Sequence, residues 1–294
     1  MARAGGRVGA AQIVVGYSDH PRTCKPLRGG FSGAAGAGGI GPWDAGIFDK
    51  KETGGRVWKR AAGRLSLKGK NRERRMSLSE TVETRRALRL RAEFLLFYVG
   101  VPVAVAVALP AQQMFPALFA MTALGIILLW RTEGFRWREL IEGKIDLPQA
   151  ALLSVIVAAV SYAVLSAREP EALFFLARER PELLAMIWVF YPFVSALPQE
   201  LIFRPLFFRR YGAVLPEGRG AIVLNAAVFS LAHLMYWSPV VAVMTFGGGL
   251  VFAWVYEAKR SFPQAVLLHA LAGNILFAIG MGVYFYSGNV VRPF

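Results

Sequence analysis

Four residues whose chemistry is out of place in apolar surroundings set the terms of this sequence. Glu200 and Arg204 stand four apart in Pro198-Gln199-Glu200-Leu201-Ile202-Phe203-Arg204, His233 closes Phe229-Ser230-Leu231-Ala232-His233, and His269 begins His269-Ala270-Leu271-Ala272-Gly273-Asn274. Each lies in or beside a long apolar run, where an ionisable side chain costs about 2.5 to 3.5 kcal/mol on insertion scales and marks a site by default. The chain has three histidines, so finding two of them in such runs is informative. A glutamate with a histidine can hold and deprotonate a water. A second histidine and an amide can donate hydrogen bonds to the oxyanion that forms at an attacked carbonyl. The set His233, His269 and Glu200 could instead hold a catalytic zinc with one position open. No His-Glu-x-x-His helix favours metal, and both chemistries stay open. Taken alone, Glu200 and Arg204 would be an ion pair on one helix face, and a single intramembrane histidine would be a bridge between helices.

These residues need a scaffold, and composition says which. The chain has 294 residues, of which 55% are hydrophobic and 13% aromatic, outside the usual range of a soluble globular domain. Seven apolar runs are long enough for a hydrocarbon core of ~30 Å: residues 94–110, 114–130, 149–167, 183–198, 221–237, 239–257 and 263–286. Lipid satisfies no backbone groups and no strand-length alternation suggests a barrel, so the expected fold is an all-α polytopic transmembrane helix bundle of about seven spans. Gly247, Gly248 and Gly249 in the sixth run read as a place of close helix packing, since no Lys-Ser or Lys-Thr follows to complete a phosphate loop. Tyr284, Phe285 and Tyr286 read as an interfacial aromatic belt.

The net charge of +15 does not point to nucleic acid. Residues 1–75 carry 16 Lys or Arg against 5 Asp or Glu, whereas the rest has 18 against 14. That first segment is rich in Gly, Ala and Arg, lacks periodicity and reads as a disordered basic tail with no signal-peptide core. Met76 follows Asn71-Arg72-Glu73-Arg74-Arg75, which purine-rich codons could encode, so Met76 is the expected natural start; N-terminal sequencing of the native protein tests this. Residues 76–294 form the expected membrane domain. One cysteine, Cys24, excludes an internal disulfide and a multi-cysteine metal site. Basic residues gather before the first span (Arg85, Arg86, Arg89, Arg91) and in alternate loops (Arg131, Arg136, Arg138, Lys144; Arg209, Arg210, Arg219; Lys259, Arg260). The opposite side is poorer apart from the loop with Arg168, Arg178 and Arg180. The positive-inside rule then puts the N-terminus in the cytoplasm.

Across about residues 183–286 the motifs resemble those of the CAAX prenyl protease and bacteriocin-processing family, also called Abi or type II CAAX endopeptidase-like. The family pattern is Glu-Glu-x-x-x-Arg, Phe-x-x-x-His and His-x-x-x-Asn. Gln199-Glu200 with Arg204 matches the first except at its leading residue, Phe229 with His233 matches the second, and His269 with Asn274 matches the third one place late. The resemblance, which is to a bacterial branch of the family, implies proteolysis of a membrane-associated peptide, by glutamate-activated water or with a metal, in contact with lipid of a bacterial inner membrane. It makes Glu200 the water activator, since Gln199 cannot be a base, with His233 its partner, His269 and Asn274 at the oxyanion, and Arg204 orienting the carboxylate. At ~100° per residue Asn274 lies about 140° round from His269 and Gly273 about 40°, so Asn274 reaches the site only if Gly273 distorts the helix. Two other functions fit the same polar core: a non-catalytic member that binds a partner as an immunity or assembly factor, and a transporter or proton relay.

Overall fold

The computed structural model describes residues 80–110, 113–286, 288 and 290; the basic tail and the expected start at Met76 lie outside the described residues. Among the described residues the regular structure is helical. Seven long helices, with short helical turns between them, follow one another there: α1 (Glu80–Ala108), α2 (Met114–Trp130), α3 (Leu147–Arg168), α4 (Pro181–Arg210), α5 (Arg219–Leu231), α6 (Pro239–Lys259) and α7 (Phe262–Ile279). Six helices are long and apolar enough to cross a membrane, α5 counting with the turn that continues it to Tyr236; α2 is the shorter apolar one. The seven-span helical bundle expected from hydropathy is therefore the architecture found.

Local chemistry sets the helix starts. Asp146, Ser238 and Ser261 each accept a hydrogen bond from a backbone N–H of the first turn of α3, α6 and α7, and a proline stands at one of the first two helical positions in all three. Such caps satisfy donors that lipid would leave bare, while proline gives up an N–H that has no helical partner there. The end of α7 is fixed differently. Gly280 has φ +117°, and a Cβ on it would lie 1.9 Å from the carbonyl oxygen of Ala172, so only glycine lets the chain turn there. The last span consequently stops at Ile279 rather than running on to residue 286, and Phe174 N–H closes the corner on the Ile279 carbonyl at 2.7 Å.

Outward faces are apolar: Phe115, Trp130, Leu152, Val155, Phe193 and Val243 are all exposed. Burying apolar faces against one another drives soluble folding; here those faces meet lipid instead, and the interior is where polar groups collect. Of the three glycines Gly247, Gly248 and Gly249, only Gly249 meets another helix closely, its missing Cβ lying 3.0 Å from Ala226 Cα on α5.

Charged residues cluster at the helix ends. Arg210 forms a two-pronged pair with Glu93, whose carboxylate also accepts from the Tyr211 hydroxyl at 2.8 Å, tying α1 to the end of α4. Arg209 pairs with Glu139 at 2.9 Å. Lys259 donates to Asp146 at 2.8 Å, and this bond, with the Gln149 backbone N–H, holds the Asp146 carboxyl below the usual carboxylate range. A lowered folded value stabilises the fold at any pH above about 4, the unfolded value, and the contribution is lost as pH falls through the folded value. Melting temperatures in detergent should therefore drop on acidification below about pH 4, and Asp146→Asn should remove part of that slope while leaving stability at pH 7 only slightly lower.

Candidate active site

The site is built on α4, whose course is decided by three internal prolines, Pro192, Pro198 and Pro205. A proline inside a helix removes an N–H and crowds the preceding turn. The helix widens to π geometry over Pro192–Ala196 and again over Ile202–Arg210. Carbonyls near Pro205 turn to side chains: Ile202 O accepts from the Tyr98 hydroxyl at 2.7 Å, and Phe203 O accepts from Asn225 Nδ2 at 2.6 Å. In lipid such partners are required, because no water can supply them.

Glu200, between the two widened segments, and Arg204, within the second, face the bundle interior, and both are fully buried. Arg204 Nε donates to Glu200 Oε2 at 2.7 Å and Nη2 to Oε1 at 3.2 Å, a forked pair. Arg204 Nη1 also donates to Asn225 Oδ1. The guanidinium lies 5.3 Å from the Phe229 ring centre and 5.8 Å from that of Phe252, so its faces meet aromatic π clouds.

His269 Nδ1 lies 2.9 Å from Glu200 Oε1. A carboxylate can only accept, so Nδ1 carries the proton and Nε2 of the neutral ring is bare. That bare nitrogen accepts from the Tyr191 hydroxyl at 3.3 Å. The ring is stacked on Phe252 with centres 5.1 Å apart and meets the Phe229 ring edge-on at 5.6 Å. His233 is held in a parallel way: its Nδ1 donates to the Phe229 carbonyl at 2.8 Å, which leaves Nε2 as an acceptor. Phe229 thus supports Arg204 and both imidazoles.

Two apolar chambers converge on these groups. The larger, about 460 Å³, is lined by Tyr191, Gln199, His233, Phe252, His269 and Gly273 among others. The smaller, about 140 Å³, lies towards α1 and α2, and both chambers share Ser195, Gln199, His233 and Tyr236. Glu200 lines neither chamber. It sits behind His269, with both carboxylate oxygens engaged.

The remaining expected residues divide. Gln199 reaches the chambers and donates to Ser195 Oγ at 2.9 Å. Asn274 does not join them: its Nδ2 donates to the Trp188 carbonyl and its own carbonyl accepts from Trp188 Nε1, each at 3.2 Å, clasping α7 to α4. The helix stays regular through Gly273, which has another use. A Cβ there would lie 2.1 Å from Tyr191 Cε1, so the missing side chain is the seat of the Tyr191 ring.

As a zinc site, the set fits poorly. Glu200 is spent on Arg204 and His269, His269 turns Nδ1 to Glu200, and only Nε2 of His233 stands without a protein partner; among the described residues no group of three potential ligands converges. Tyr191, Ser195 and Asn225 are site residues that motif spacing misses. Asn225, an amide eight residues before His233 in an apolar run, carries the same signal as the histidines, and Tyr191, Ser195 and Gln199 recur every four residues.

The protein is a polytopic helical membrane protein with a buried ion pair set behind an apolar chamber. Residues 181–276 match the family described as type II CAAX prenyl endopeptidase Rce1-like, a protease family, and this match supports membership of the CAAX prenyl protease and bacteriocin-processing family. No curated protein and no solved structure was found to match the chain.

Proposed function

We propose that this protein is an intramembrane endopeptidase that hydrolyses peptide bonds of a membrane-tethered substrate, with the Glu200–His269 pair activating the water. The observation that carries this reading is the position of Glu200 behind His269, out of reach of either chamber and bonded to the imidazole whose Nε2 looks the other way. Sequence reasoning gave Glu200 the water directly. The geometry favours an indirect role, as a carboxylate that fixes the tautomer of a histidine base.

In this mechanism His269 Nε2 takes a proton from water as the oxygen attacks the carbonyl carbon, and the resulting imidazolium is stabilised by Glu200. His233 Nε2 accepts the water's other hydrogen and orients it. The tetrahedral oxyanion then collapses, the C–N bond breaks, and the proton on His269 passes to the leaving amine, giving a carboxylic acid and an amine. Arg204 and Asn225 keep Glu200 in place. Closure of the site by Phe229 and Phe252 keeps bulk water out, which strengthens each of these interactions. The distribution of basic loops supports a cytoplasmic N-terminus, and in this reading the tethered peptide enters the larger chamber from the bilayer.

Purified wild type, His269→Ala and His233→Ala incubated with a panel of membrane-tethered peptides, with and without chelator, test this. Loss of the base should lower turnover by roughly a thousandfold, within the range of general-base catalysis, and loss of His233 by less. A wild type that cleaves nothing which His269→Ala leaves intact sinks the proposal, and inhibition by chelator would return the reaction to a metal.

A further inference from the structure

We infer that Tyr191 is a further catalytic residue, the hydrogen-bond donor to the oxyanion. This rests on the His269 mechanism above. That mechanism presents bare Nε2 atoms on both histidines, and these are acceptors, whereas a developing oxyanion requires donors. Asn274, the amide that sequence spacing offered, has its N–H on the Trp188 carbonyl.

Tyr191 supplies what is missing. Its hydroxyl is 3.3 Å from His269 Nε2, in the place the attacking water takes, so the carbonyl attacked by that water comes within reach of the same O–H. When water occupies Nε2, the hydroxyl loses its acceptor and is free to turn to the carbonyl oxygen. The ring is positioned for this by the missing side chain of Gly273 and by an edge contact with Phe277, centres 5.9 Å apart. Ser195, one turn along α4, lines the same chamber and accepts from Gln199 Nε2 at 2.9 Å.

Tyr191→Phe keeps the ring seated on Gly273 and removes only the O–H. It should lower kcat roughly a hundredfold, the loss seen when one oxyanion donor is deleted, with KM within about threefold of wild type. Affinity for a tethered peptide carrying a phosphinate at the scissile position, which mimics the tetrahedral anion, should fall by the same factor, while affinity for the cleaved product stays unchanged. Gly273→Ala, which displaces the ring without touching its chemistry, should cause a comparable loss that does not add to that of Tyr191→Phe. Wild-type kcat in Tyr191→Phe, or equal weakening of phosphinate and product, overturns the assignment. If those results come with an inactive His269→Ala, the base survives and only Tyr191 is wrong; a wild type without activity removes both.

Discussion

Glu200→Gln should reduce peptide hydrolysis by about four orders of magnitude without emptying the chamber of its histidines. An amide in place of the carboxylate offers one oxygen and one NH2 to His269 Nδ1. If the NH2 faces the ring, Nδ1 becomes the acceptor, the proton moves to Nε2, and the nitrogen facing the substrate can no longer take one from water. If the oxygen faces the ring, the tautomer survives but the charge that stabilises the imidazolium is gone. Either way the base fails, although Glu200 touches no substrate. Single-turnover cleavage of a tethered peptide by wild type and variant, at matched folded fraction, checks the size of the effect. Activity within tenfold of wild type would show that water is activated elsewhere.

Arg204→Met should be the most destabilising single change in the bundle, costing about 3 to 5 kcal/mol, because it leaves a carboxylate buried with no cation. The same reasoning gives the pair a modest net worth, since taking two charges from water nearly cancels their attraction. Glu200→Leu combined with Arg204→Met should then recover most of the stability that Arg204→Met loses, and stay inactive. Unfolding followed in mixed micelles across the four-member cycle isolates the coupling. Failure of the double variant to regain stability would mean that Arg204 matters mainly through Asn225, Phe203 and the aromatic faces it touches.

The spans were legible in the sequence because hydrocarbon imposes a length and forbids charge, and both leave marks that need no tertiary knowledge. The clustering of Glu200, Arg204, His233 and His269 was legible for the same reason. Their division of labour was not. Which side of His269 faces Glu200 depends on how α4 and α7 are rotated against each other, and no spacing within either helix carries that. Asn274 illustrates the limit: its angular offset from His269 was correctly read as a difficulty, but that Trp188 would take its amide depends on the neighbouring helix. Gly273 was read as permitting a bend in α7; the helix stays regular there and the glycine makes room for a tyrosine on α4. The end of α7 at Ile279 was missed because hydropathy runs on through Tyr286, while the stop depends on Gly280 meeting Ala172.

The widened turns of α4 also bear on what changes this gene can absorb. A π turn holds one more residue than the α-helical turn it replaces, so each behaves like a single inserted residue accommodated within the helix. Deleting one residue from Pro192–Ala196 would restore α geometry and keep the register beyond it, whereas one further residue added to this already widened turn would swing everything beyond it by ~100°, carrying Glu200 and Arg204 away from His269 while scarcely altering hydropathy. An insertion of several residues in the loop around Glu217, which joins two spans at the surface, would leave the same side chains aligned. Reading-frame-preserving insertions of a single codon should therefore be purged from the middle of α4 more severely than much longer insertions a few residues downstream.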